Sequence, residues 1–135
     1  MNANEPKPDF LLLFRGTDWD KGLSPREIQQ VMAHLMTWMD RLHREGRIKA
    51  GHPLGNEART VSGRNGRLVA DGPFAEAKEA IGGFLVVTAN DLEEAIALAR
   101  QYPCLEQGAS VEVRPIAGMC PTFQRVQQQL AAVEA

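Results

Sequence analysis

His34 sits within "AHL", four residues before Trp38, in a stretch whose apolar residues recur at helical spacing. A histidine side chain titrates close to neutral pH and can take up or release a proton. At about 100° per residue, His34 falls about 120° from the centre of the apolar stripe near Leu35 and Met39. That puts it on the helix flank with Trp38 one turn away on the same side. A rim position beside an aromatic ring suits a general base; an ordinary histidine on a helix surface would stand in the same place. Asp71 opens "DGPF". An Asp that starts a turn can accept the backbone N–H two residues on. Gly72, before a proline, is pushed toward extended conformations, Pro73 stiffens the chain, and Phe74 can plug the corner into the core. This accounts for a rigid corner, and the same rigidity would hold the carboxylate in a fixed place.

Other side chains offer less. Arg15, Arg59, Arg64 and Arg67 lie near strand ends and on a hairpin. A guanidinium there could grip an anionic substrate in bidentate fashion, or simply keep the surface soluble. His43 lies nearer the apolar stripe, close to the helix C-terminus, where the dipole favours a cation. His52 precedes Pro53 at a strand end, with its role open. Met32, Met36 and Met39 read as adaptable core filler. The charges of "EAKEA" read as solvated. Gly82-Gly83 leads into a strand and not a helix, so it marks a close backbone approach and not a phosphate cradle. Cys104 and Cys120 are the only cysteines. Neither has His or Cys at metal-ligand spacing, so no metal is expected and the thiols read as buried or incidental.

The elements that must position these groups follow from period and punctuation. Asp9–Gly16 reads as a strand. Ser24, Pro25 and Glu27 form a capping box with proline at the first helical position. Ile28, Val31, Met32, Leu35, Met36, Met39 and Leu42 continue that helix to a glycine stop at Gly46. "RIKAGHPL" is a short strand. "ARTVSGRNGRLVA" is a hairpin with Asn65-Gly66 at its turn. "GFLVVTA" is the clearest strand. Asn90 or Asp91 caps a second helix that Pro103 stops. "ASVEVRPI" is a last strand, and 117–135 reads as a C-terminal extension with helical character. Residues 1–8 read as a flexible tail, and 9–116 as one domain.

This order is that of the split βαβ plan: an α+β fold with an antiparallel sheet and two helices on one face. Phe10–Phe14 and Phe84–Val87 are apolar at odd and even positions alike. Strand side chains alternate between faces, so both faces need cover. A second copy of the chain in a homodimer is the expected cover for the face without helices, with the terminal helix as the competitor. Hydrophobic residues at 44% and charged residues at 24% of 135 suit one globular domain. A net charge of −2 with no basic stripe argues against nucleic acid as partner. No apolar run approaches the roughly 20 residues of a membrane span, and the polar N-terminus is unlike a secretory signal, so a cytoplasmic location is expected.

Taken together, "ADGPFAEAKEAIGGFLVV", "DLEEAIALARQYP" and "GASVEVRPI" resemble the DGPF-domain branch of the YciI-related (YCII) proteins, and "AHLMTWMDRLHREGRIKAGHPL" resembles the wider group. The resemblance implies a ferredoxin-like subunit in a dimeric α+β barrel, with an active site built on a His and an Asp. Carried over, these fall on His34 and Asp71, with Asp71 orienting the imidazole as the acid does in other His–Asp pairs. Arg15, Trp38, Arg59 and Phe74 are then the expected substrate contacts. Superfamily members of isomerase, dehalogenase and monooxygenase type need no bound metal or organic cofactor. The expectation is a cofactor-free enzyme of lyase, isomerase or dehalogenase type acting on a small organic substrate. The rival is a non-catalytic small-molecule-binding or regulatory protein, since some members are associated with sigma factors.

Overall fold

The computed structural model describes residues 6–63, 68–72 (backbone) and 80–134. Its elements are β1 (Asp9–Arg15), α1 (Pro25–Arg44), β2 (Ile48–Pro53), β3 (Ala58–Ser62), β4 (Leu68–Gly72), β5 (Ile81–Thr88), α2 (Leu92–Ala99), β6 (Ser110–Pro115) and α3 (Pro121–Glu134). A 3-10 turn, Pro103–Gln107, joins α2 to β6. The strands β2-β5-β1-β6 form one sheet, antiparallel at every pairing. This is the split βαβ order expected of a ferredoxin-like subunit. β3 and β4 pair separately as a hairpin inserted between β2 and β5.

The helix ends are set by the residues anticipated. Ser24 Oγ accepts from the Glu27 N–H at 3.1 Å, and Glu27 Oε1 accepts from the Ser24 N–H at 3.0 Å. That backbone hydrogen bond holds the Glu27 carboxyl below its ordinary range. At the other end Gly46 takes φ +71°, a conformation that costs glycine little, and its N–H reaches the His43 carbonyl. Asp91, of the two candidate caps, starts α2 by accepting from the Glu94 N–H at 2.8 Å.

The core lies between the sheet and the two helices α1 and α2. Phe10, Leu12, Leu85 and Val87 point into it from the sheet, and Trp38, Leu42, Ala95, Leu98 and Ala99 from the helices. The register makes this possible: Phe10 lies opposite Val87, and Leu12 opposite both Leu85 and Val113. The alternate residues Leu11, Leu13, Phe84 and Val86 are only half-buried and lie outside the core cluster. Every described residue of α3 is exposed, so the terminal helix does not cover that second face. The hairpin's turn at Asn65-Gly66, with Arg64 and Arg67, lies outside the described residues, as do Pro73, Phe74 and the "EAKEA" charges.

Candidate functional site

Two helix-facing positions of the sheet carry no side chain. Gly51 on β2 lies opposite Leu85, and a Cβ there would meet Leu85 Cδ2 at 2.4 Å and the Phe84 carbonyl oxygen at 2.9 Å. Gly83 on β5 lies between Phe14 and Pro53, and a Cβ there would sit 3.0 Å from the His52 carbonyl oxygen. These close approaches are what the Gly82-Gly83 pair was expected to provide. α1 leans on the sheet through Trp38 and Leu42, but over the two glycines nothing rises to meet it. The result is a cavity of about 730 Å³ between α1 and the edge strand β2, within the usual size range of small-molecule sites.

Phe14, Gly51, Gly83 and Leu85 line the sheet side of this cavity, and Leu35, Met36, Met39 and His43 the α1 side. Trp38 and Tyr102 close the inner end; Thr17, Trp19, Leu54 and Asn56 border it from the loops. Arg15, Lys49 and His52 also line it. Arg15 pairs with Glu112 at 3.3 Å and Lys49 with Asp9 at 3.0 Å. The His52 ring meets Phe84 edge-on at 5.9 Å.

The inner wall is an aromatic cluster. Phe14 meets Trp38 edge-to-face at 6.2 Å, Phe14 and Tyr102 lie 4.7 Å apart, and Trp38 and Tyr102 lie 5.5 Å apart. Such pairs add about 0.5–1.5 kcal/mol each beyond area burial. Trp38 is fixed further because its Nε1–H donates to the Leu98 carbonyl at 3.3 Å. Burial first, then hydrogen bonding with Cys104, pushes the Tyr102 phenol well above its ordinary range, and burial raises the Cys104 thiol. Both therefore stay protonated at neutral pH.

Behind this wall lies a second cleft of about 510 Å³, lined by His34, Arg41, Arg100, Gln101 and Glu106. Trp38 and Tyr102 line both spaces. Arg41 donates to the Gln101 side chain. Thus Trp38 and Arg15 stand at the larger cavity, while His34 stands at the second cleft across the aromatic wall. Asp71 is the fourth residue of β4 and lies opposite Arg59 in the hairpin. Asp71 and Gly72 are the last two residues of that strand, paired with Arg59 and Ala58, which agrees with the extended conformation expected of Gly72 before a proline; the rest of the expected corner lies outside the described residues. Arg59 donates to the Ala58 carbonyl and lies 3.8 Å from Glu57. Phe74 falls outside the described residues.

Sequence reasoning assigned His43 to the helix dipole, yet its position one turn beyond Met39 brings it to the larger cavity. Tyr102 is none of the candidate residues singled out in the sequence. Its signal was present: an aromatic immediately before the proline that ends α2 is well placed to fold back onto the core. Among the described residues, no group of three or more His, Cys, Asp or Glu side chains could hold a metal. No described helix is long and apolar enough to cross a membrane.

Residues 5–119 match the family model described as the YCII-related domain. No curated protein matches the chain. Among solved structures, the chain is similar to the 5-chloro-2-hydroxyhydroquinone dehydrochlorinase TftG from Burkholderia phenoliruptrix AC1100, in complex with 2,5-dihydroxybenzoquinone. The two share 18% identity over 81% of this chain and 93% of that one, with a TM-score of 0.46. A likeness that remote bears on neither substrate nor site residues.

Proposed function

The chain belongs to the YCII-related domain family, and from that premise we propose that it is a cofactor-independent enzyme that moves a proton on a small, ring-bearing organic substrate held in the larger cavity. The single observation that carries this reading is a space of about 730 Å³ whose inner end is the Phe14–Trp38–Tyr102 cluster and whose α1 side carries His43. Tilted aromatic rings complement the edge and face of a flat ligand. In this reading His43 is the general base. Trp38 and Phe14 hold the ring, and the protonated Tyr102 phenol is a hydrogen-bond donor for an oxygen that gains negative charge. Eliminations, enolising isomerisations and the loss of hydrogen halide from a ring all begin with such a proton transfer.

A second reading keeps the resemblance's assignment, with His34 as base and Asp71 as its orienter. The observation in its favour is that His34 borders a cleft that also holds Arg41 and Arg100, where a substrate anion would be welcome. One experiment separates the two. Wild type, His43→Ala and His34→Ala are assayed against a panel of phenols, quinones and small aromatic or aliphatic acids. A general base supplies typically about 10²–10⁴-fold, so a drop of that size in His43→Ala alone supports the first reading, and in His34→Ala alone the second. Equal turnover in all three removes both bases. Ligand binding without turnover would make the protein a binding module.

The same proposal includes self-association through the uncovered sheet face. Leu11, Leu13, Phe84 and Val86 form an apolar centre there, bordered by the Arg15–Glu112 and Lys49–Asp9 ion pairs. An apolar centre with a charged rim is the usual anatomy of a protein interface. Sedimentation of Leu13→Asp beside wild type tests it, because a charge at the centre should leave single chains.

A further inference from the structure

We infer that the second cleft is a binding site for a small oxyanion, a carboxylate or a phosphate, held by Arg41 and Arg100. The inference goes beyond both catalytic readings: it stands whether the base is His43, His34 or neither. Two elements make the cleft. Val31, His34, Trp38 and Arg41 follow one another on α1 by three, four and three, so they share one side of the helix. Facing them is the segment that leaves α2, from Arg100 through the 3-10 turn to Gln107. Between the two lies a space of about 510 Å³, within the usual range of small-molecule sites.

The charges select the ligand. Arg15, Arg47 and Lys49 each lie within ion-pair distance of a carboxylate. Arg41 and Arg100 differ: among the described residues no carboxylate stands in ion-pair reach of either guanidinium. Glu106, the one carboxylate among the described lining residues, pairs with neither. Two cations therefore share the cleft with one anion, in a chain whose net charge is −2. The Gln101 side chain accepts from Arg41. A neutral amide orients that guanidinium without neutralising it and leaves further N–H groups of the planar fork for a carboxylate or phosphate. The end of a helix that bears free carbonyls would repel such a ligand. Here the last carbonyls of α2 are engaged: Ile96 accepts from the Arg100 N–H, Leu98 from Trp38 Nε1 and the Gln101 N–H, and Ala99 from the Tyr102 N–H. Trp38 and Tyr102 add a flat apolar wall, which suits a ring that carries the charged group.

The test is isothermal titration calorimetry of the full chain with inorganic phosphate and, separately, with benzoate, at constant ionic strength. Arg41→Gln, Arg100→Gln and Arg44→Gln are titrated alongside, with circular dichroism to check folding. Arg44 is exposed on the same helix and lines neither space, so Arg44→Gln repeats the change of charge without touching the cleft. The expected result is one site per chain for at least one of the anions, weakened about 10–100-fold in Arg41→Gln and in Arg100→Gln and unchanged in Arg44→Gln. Phosphate without benzoate identifies a phosphate ligand, and benzoate without phosphate a ring-bearing carboxylate. No binding of either anion at millimolar concentration overturns the inference. So does binding that Arg41→Gln and Arg100→Gln leave unchanged, because the anion would then lie elsewhere. An equal loss in all three variants also overturns it, since it would report attraction to the charge of the chain as a whole. The catalytic readings are judged by turnover in His43→Ala and His34→Ala; a panel without turnover removes those readings and leaves the calorimetry to decide this one.

Discussion

α1 and α3 carry the same kind of apolar stripe and treat it in opposite ways. On α1, Trp38 and Leu42 are 3% and 0% exposed, Trp38 donates to the carbonyl of Leu98, and both helix ends are closed by caps. On α3, Leu130 is 56% exposed and no residue is buried. The difference teaches what helical periodicity can and cannot say. A stripe records that a face wants cover, and the partner is decided elsewhere: for α1 by Phe10, Leu12, Leu85 and Val87 on the sheet, for α3 by nothing within the described chain.

The contrast is open to attack at several points. The largest effect is expected at Trp38. Trp38→Ala removes a buried ring, its hydrogen bond to Leu98 and two aromatic contacts, and should cost about 3–5 kcal/mol in denaturant unfolding. A loss below about 1 kcal/mol would mean that α1 is no better anchored than α3. Gly51→Ala comes next. The added methyl meets Leu85 and the Phe84 carbonyl, so about 1–3 kcal/mol should be lost to overpacking, with weaker ligand binding by calorimetry because the cavity floor is raised. Ser24→Ala unties the capping box and should cost about 1 kcal/mol, read from the denaturation midpoint.

A smaller effect is expected where the chain leaving α1 is pinned to α2. Arg47 donates to Glu94 at 2.7 Å, and this hydrogen bond holds the Glu94 carboxyl below its ordinary value. Glu94 keeps 27% of its side chain in solvent, so the pair is worth about 0.2–1 kcal/mol. A depressed folded-state pKa means stability that is present above the unfolded value and lost as pH falls through the folded one. Wild type should exceed Glu94→Gln at pH 7, and the two should converge as acid takes the pH below the ordinary carboxylate range and through the lowered folded value. The smallest effect belongs to α3. Phe123→Ala, unfolded at concentrations dilute enough to give single chains, should change stability by no more than about 0.5 kcal/mol.

Much of the fold is legible in the residues because its devices are local. The Ser24–Glu27 box, the Asp91 cap and the continuous apolar run of β5 each specify their element without help from distant parts of the chain. The site is less legible because it arises from what is missing. Gly51 and Gly83 come together only once β2 and β5 pair, and the space above them belongs to no motif. His34 drew notice through its neighbours in sequence, whereas His43 reaches the larger cavity through the rotation of α1 over the sheet. The ladder of β3 and β4 runs through Asp71 to Gly72, a pairing between distant residues that the turn-forming composition of "DGPF" does not announce.

The wall made by Trp38 has a practical consequence. The chain has two indoles: Trp19 borders the larger cavity alone, while Trp38 is shared by both spaces. A molecule entering the larger cavity should therefore alter the emission of both fluorophores, and one entering the second cleft that of Trp38 only. Titrations of Trp19→Phe and Trp38→Phe would then tell, without any assay of turnover, which chamber a given compound has chosen.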